Sequence, residues 1–245
     1  MQKPQKCSRP CYQNNRAAIT IQKPSLNKLE LILFDMDGVL ADIISSWQHI
    51  HNHFCTSNEH SVKAYMKGEI DDHEFIRRDV CLWKKQNQYP TYQQVEKILS
   101  KIPLMNGASE LFFFLHQQNI KTAIVSAGLD ILASNIAKKL NINYIYANGL
   151  SIDEHKKLTG EGILRVGLMH KDRIVQKLST QLQIPQQNMA SVGNSCFDIP
   201  MLANTGLAIA FNPSDDCVKN ISDAIVEEKD LTRLIPIFQR YLKNR

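Results

Sequence analysis

The segment LILFDMD, residues 31–37, constrains this chain more than any other. An apolar run ends there in two carboxylates, Asp35 and Asp37, with one residue between them. The run suits a strand covered on both faces. Ionised carboxylates, in contrast, resist burial unless they are paired or bind a cation. Both demands are met at the carboxyl edge of a parallel sheet, where open α/β folds build their ligand sites. In extended backbone Asp35 and Asp37 point to the same side, and Gly38 lets the chain turn tightly beside a ligand. Such a pair can bind a hard cation such as Mg²⁺. It can also divide labour between a nucleophile and a proton donor. As caps of a helix the same residues would carry no chemistry.

The rest of the chain supports such a sheet. Short apolar runs at residues 30–35, 121–128, 189–194 and 206–211 read as strands, with 223–227 as a fifth. Amphipathic segments at 107–118, 129–140, 171–182 and 199–204 lie between them, and 231–242 closes the chain. Alternating strands and helices predict an α/β fold with a doubly wound parallel sheet. Two regions break the rhythm. Residues 44–104 look helical throughout, punctuated by Pro90 and Pro103, and are expected to form a small cap inserted into a core of 30–43 and 105–245. Residues 144–166 carry turn signals at Asn148–Gly149 and at TGEG, 159–162, which predict a small hairpin.

Charge excludes some functions. The chain has 245 residues and a formal charge of +5, but residues 1–29 hold six basic residues and no acid. The remaining body is therefore near neutral, without the footprint of a nucleic-acid binder. No apolar run is long enough for a membrane helix. The arm, rich in Gln, Asn and Pro, is expected to be disordered. A cytoplasmic location is expected, with organelle targeting by the basic arm as the other option. Six cysteines without regular spacing read as reduced thiols; Cys7 and Cys11 lack a second ligand pair for zinc.

Other strand ends supply polar groups. Ser126 precedes Ala127–Gly128 and a helix, where its hydroxyl and the following N–H groups can hold a phosphoryl group or simply cap the helix. Lys171 opens a helix, where the macrodipole disfavours a cation unless an anion lies nearby. Asn194 and Asp198 follow another strand, and both carry oxygens suited to Mg²⁺.

Together DMDGVL, IVSAG, Lys171 and GNSCFD resemble the four motifs of the haloacid dehalogenase superfamily of phosphatases. The likeness is closest to the phosphoserine phosphatase-like branch and covers residues 30 to about 230. The resemblance implies a Mg²⁺-dependent hydrolase of a small phosphorylated metabolite, working through an aspartyl phosphate. It implies Asp35 as nucleophile, Asp37 as general acid/base, and Ser126, the Ala127 amide and Lys171 as phosphoryl holders. It places Mg²⁺ on the Asp35 carboxylate, the Asp37 carbonyl and Asn194, with Asp198 nearby to compensate. A degenerate binding or regulatory protein and a phosphomutase are the alternatives; a homodimer is left open.

The sequence departs from that pattern in places. Asn194 stands where the family has Asp, which predicts weaker Mg²⁺ binding. Ile44 replaces the Glu that meets the substrate ammonium, Asp79 replaces the Arg that meets its carboxylate, and Asp72 replaces an aromatic. Phosphoserine itself is therefore doubtful. Asp42, Ile44, Trp47 and Asp79 are the candidate substrate-facing residues of the cap. His49 and His53 share a helix face beside His51 and are expected at a solvated or pocket rim. Phe112, Phe113 and Phe114 are expected in the core.

Overall fold

The computed structural model describes residues 25–242. Seven strands form one sheet: β1 (Leu31–Phe34), β2 (Lys121–Leu129), β3 (Tyr144–Ile152), β4 (Leu158–Ile163), β5 (Met189–Gly193), β6 (Leu207–Phe211) and β7 (Ala224–Val226). Their order is β4-β3-β2-β1-β5-β6-β7. Every neighbouring pair is parallel except β3 and β4. The chain winds outward from β1 in both directions, so the switch of winding falls at β1 and its neighbours β2 and β5.

Between β1 and β2 lie α1 (Ser46–Phe54), α2 (Glu59–Met66), α3 (Asp72–Leu82), α4 (Tyr92–Leu99) and α5 (Ala108–Gln117). Then follow α6 (Asp130–Leu140), α7 (Asp172–Leu182), α8 (Ile199–Leu202), α9 (Asp216–Ile221) and α10 (Ile235–Leu242). Local chemistry sets several boundaries. Ser45 caps α1 by accepting from the Gln48 N–H, and Asp71 caps α3 by accepting from Glu74. Thr91 and Gln94 form a reciprocal capping box on α4.

Alternate side chains of β1 serve two cores. Ile32 and Phe34 pack with Leu111, Phe112, Leu132 and Ile136 of α5 and α6. Leu31 and Leu33 pack with Ile174, Val175 and Leu178 of α7. Coverage on both faces is why the strand reads as an unbroken apolar run. Ile50, Val80, Trp83, Val95 and Leu99 of α1, α3 and α4 join the first core. Each such buried side chain contributes roughly 1.5–3 kcal/mol of transfer free energy, so these helices and the sheet stabilise one another.

The structure corrects several expectations. The hairpin expected at 144–166 forms as the antiparallel pair β3 and β4, but its first strand also belongs to the main sheet, parallel to β2. Asn148–Gly149 and the TGEG run lie inside β3 and β4, while the turn falls at residues 153–157. Tertiary pairing overrides the local turn preference there. Helix α6 begins at Asp130, because β2 runs on to Leu129 through a shift of register between Val125 and Leu129. Phe113 is 66% exposed, although Phe112 is buried. Of the basic arm, residues 1–24 and with them Cys7 and Cys11 lie outside the described residues. Leu29 is fully buried and Leu26 packs on the core, so the folded body starts before residue 30.

Candidate active site

The site is built where β1, β2 and β5 end. Register sets Phe34 opposite both Ile124 and Val192, so Asp35 follows at the same level on the central strand. Its N–H still donates to Val192 O at 2.9 Å, which fixes the backbone before the chain turns. The turn is tight: Met36 O accepts from Leu40 and Ala41 N–H, each at 2.9 Å. Gly38 sits at φ +80°, and a Cβ there would collide with the Asn194 amide. The glycine thus lets the β5 loop close against the turn that carries Asp37.

Lys171 stands at the N-terminal boundary of α7, inside the site. Its Nζ lies 2.6 Å from Asp198 Oδ1 and 2.7 Å from Asp35 Oδ1. The approach to Asp35 is an ion pair out of line for a hydrogen bond. All three residues are buried. Burial works against the Lys171 ammonium, but the charges of Asp198 and Asp35 outweigh it and hold its pKa above the ordinary lysine value. Burial and the nearby Asp198 charge push the Asp35 carboxyl up, against the pull of Lys171. The other Asp198 oxygen, Oδ2, accepts from the Asn194 N–H at 2.8 Å, the Ser195 N–H at 3.0 Å and the Ser195 hydroxyl at 3.4 Å.

Asp37 is held from the helical side. Its Oδ2 accepts from the N–H and the hydroxyl of Ser46, each at 2.8 Å, at the start of α1. Burial pushes its carboxyl up, and those two hydrogen bonds oppose the shift. The Ser46 hydroxyl oxygen also accepts from the Leu129 N–H at 3.1 Å. Ser126 is buried and accepts from the Gly128 N–H at 3.1 Å, bracing the irregular stretch of β2. Ala127 O accepts from the Trp47 indole at 3.0 Å and from Asn148 Nδ2 at 3.0 Å. Asn148 Nδ2 also donates to Val166 O at 2.9 Å, and Oδ1 accepts from Arg165 and Val166 N–H at 2.8 and 2.9 Å.

The case for a metal rests on the carboxylates. Asp37 Oδ1 is buried with no hydrogen-bond partner, and Asp35 Oδ1 has only the Lys171 ammonium, 2.7 Å away. As ionised groups, Asp35, Asp37 and Asp198 against Lys171 leave an excess of negative charge that a divalent cation would balance. Oxygen ligands of this kind fit a hard cation. Among the described residues no three His, Cys, Asp or Glu side chains are arranged to hold a metal ion. Asn194, at the fourth-motif position, carries an amide where the resemblance implies a carboxylate, and its Nδ2 faces Gly38. Asp198 has both oxygens engaged, so it anchors Lys171 and the β5 loop.

The four residues proposed for the cap part company. Asp42 is exposed and pairs with Lys229 at 2.8 Å. Ile44 is 87% exposed. Trp47 reaches the site through Ala127. Asp79 is buried on α3 beside His51. Asp72 accepts from the Leu168 N–H at 2.9 Å and from the Tyr65 hydroxyl at 3.0 Å, tying α3 to the segment before Lys171. Sequence reasoning missed Ser46 and Asn148: a serine one residue after a capping serine, and an asparagine in a turn-like dipeptide, give no such signal. His51 is the buried histidine of its run, while His53 is exposed and His49 half-buried.

Comparison with known proteins points the same way. Residues 29–206 match the family model described as haloacid dehalogenase-like hydrolase. A phosphoserine phosphatase of Archaeoglobus fulgidus is 31% identical over 214 residues, covering 85% of this chain and 60% of that protein. One from Methanocaldococcus jannaschii is 30% identical over 221 residues, covering 88% of this chain and 99% of that protein. A solved structure described as a phospho-aspartyl intermediate analogue of phosphoserine phosphatase superposes with a TM-score of 0.70 at 28% identity, covering 86% of this chain and 99% of the other. A probable phosphoserine phosphatase from Vibrio cholerae gives 0.74 at 26% identity, covering 91% and 68%.

Proposed function

The chain belongs to the haloacid dehalogenase-like hydrolase family, and on that premise we propose that it is a Mg²⁺-dependent phosphatase of a small phosphomonoester, working through an aspartyl phosphate on Asp35. The observation that carries the proposal is Lys171, a buried ammonium set between Asp35 and Asp198. That ammonium would hold Asp35 for attack and meet the incoming phosphoryl oxygens.

An Asp35 carboxylate oxygen attacks phosphorus, and the bond from phosphorus to the ester oxygen breaks. Asp37 gives its proton to the departing alkoxide. It then takes a proton from water as the water oxygen attacks the same phosphorus. The bond between phosphorus and Asp35 breaks, orthophosphate leaves, and both carboxyls return to their starting state. The upward push on Asp37 suits a group that must hold a proton before giving it. Ser126 and the Ala127 amide would steady the phosphoryl oxygens. The Asp35 carboxylate, the Asp37 carbonyl and the Asn194 amide oxygen would hold Mg²⁺, which would neutralise charge on the phosphoryl group. Residues 44–104 act as a cap that excludes water and chooses the substrate.

The test is hydrolysis of p-nitrophenyl phosphate. Wild type with Mg²⁺ is expected to turn it over, EDTA to stop it, and Asp35→Asn to lower kcat by on the order of 10⁴-fold or more. Activity persisting in Asp35→Asn would sink the proposal. Wild type that neither hydrolyses it nor binds beryllium fluoride with Mg²⁺ would identify a degenerate member of the family.

A further inference from the structure

Two serines open α1, and they have different employment. Ser45 serves the helix: its side chain accepts from the Gln48 N–H. Ser46, the first helical residue, has an N–H that no helical carbonyl can take. That N–H donates to Asp37 Oδ2 at 2.8 Å, and the Ser46 hydroxyl donates to the same oxygen at 2.8 Å. Ser46 is fully buried, so no water competes for either bond.

The direction of these bonds is fixed by a third. The Leu129 N–H, which can only donate, lies 3.1 Å from Ser46 Oγ. Oγ therefore accepts from β2, and its one hydrogen is left for Asp37. Asp37 Oδ2 thus faces two hydrogens and has no lone pair free for a third. Oδ1 is buried and has no hydrogen-bond partner among the described residues.

The packing around this pair is close. A Cβ on Gly128 would lie 2.7 Å from Ser46 Oγ and 2.9 Å from Asp37 Oδ2. Glycine at that position lets the irregular end of β2 press against both side chains. Three segments, the turn after β1, the start of α1 and the end of β2, therefore meet on one serine.

We propose that Ser46 is a positioning residue for the reaction: it grips Asp37 by Oδ2, so that Oδ1 is the oxygen that delivers the proton to the departing group and later receives one from water. The inference rests on the phosphatase assignment above and adds to it a residue outside the four matched motifs. As the bond from phosphorus to the ester oxygen breaks, its electron pair stays on that oxygen and the Oδ1 proton moves to it. Without the hydroxyl of Ser46, Asp37 keeps one tether instead of two and can swing about it, so Oδ1 is no longer held on target.

The experiment compares two esters of like shape, p-nitrophenyl phosphate and phenyl phosphate. The nitrophenolate leaves with little help, whereas phenolate, with a pKa near the tyrosine value of about 10, calls for a proton. The readout is kcat/KM, which covers the steps up to cleavage of the ester bond. Ser46→Ala is expected to lower it for phenyl phosphate roughly tenfold more than for p-nitrophenyl phosphate, a part of the 10²–10⁴-fold that a general acid supplies. In an Asp37→Asn background the same substitution should add no further discrimination between the esters. Equal losses on both esters, the pattern of a serine that only supports the fold, would overturn the proposal. So would a discrimination that persists in Asp37→Asn. Should Ser46→Ala fail to fold, Ser46→Cys keeps nearly the same volume with only a weak donor, and carries the same expectation. Wild type inactive on p-nitrophenyl phosphate would instead strike the phosphatase assignment itself.

Discussion

Asp198 at the sheet edge and Asp79 on α3 are both buried carboxylates, yet the fold treats them in opposite ways. Asp198 has Lys171 on one oxygen and three donors from Asn194 and Ser195 on the other. Asp79 has one close neutral donor, and its second oxygen has none. A carboxylate completed by its own chain is part of the frame. One left incomplete is a polar demand that the surrounding side chains do not meet. The sheet edge thus arrives with its anchor built, while the helical segment keeps an unfilled demand.

The largest effect that would break this contrast is on stability. Lys171→Met leaves Asp35 and Asp198 as uncompensated neighbours, and should lose about 3–5 kcal/mol in urea unfolding. In the same assay Asp79→Asn should cost no more than about 1 kcal/mol, since the amide oxygen keeps an acceptor for Asn58. Equal losses in the two variants would erase the distinction. A smaller effect concerns the metal. Asn194→Asp restores a charge to the donor set and should tighten Mg²⁺ roughly tenfold in titration calorimetry. Unchanged affinity would remove Asn194 from the metal site. The smallest effect joins the two regions: Trp47→Phe deletes the hydrogen bond to Ala127 O at a cost of about 0.5–1.5 kcal/mol. It should raise KM for p-nitrophenyl phosphate several-fold with little change in kcat; a loss confined to kcat would place Trp47 in the chemistry instead.

Much of the sheet edge was legible in the sequence. The apolar run before Asp35 required two covered faces, and a cation at the start of a helix required an anion beside it, which Lys171 finds in Asp35 and Asp198. The helical segment was legible as helices because caps such as Thr91 are local signals. Its interior was not. The triplet of His51, Asp79 and Trp83 joins residues far apart in sequence, and nothing in the spacing of WQHIHNHF tells which histidine turns inward. Asn148 misled for a related reason. Asn-Gly favours a turn in isolation, but here four hydrogen bonds to three other residues hold the asparagine in a strand. Asp42 and Ile44 are near Asp35 in sequence only, since the turn at Gly38 sends them out to solvent.

Ser46 deserves a last consequence. It belongs to the first turn of α1, and its N–H and hydroxyl are the donors to Asp37 Oδ2. A shift of α1 would strip Asp37, the proton donor of the proposed mechanism, of both these donors. In the proposed mechanism the position of α1 and the protonation of Asp37 would thus be linked, since losing two hydrogen bonds that favour the carboxylate would leave its proton more firmly held.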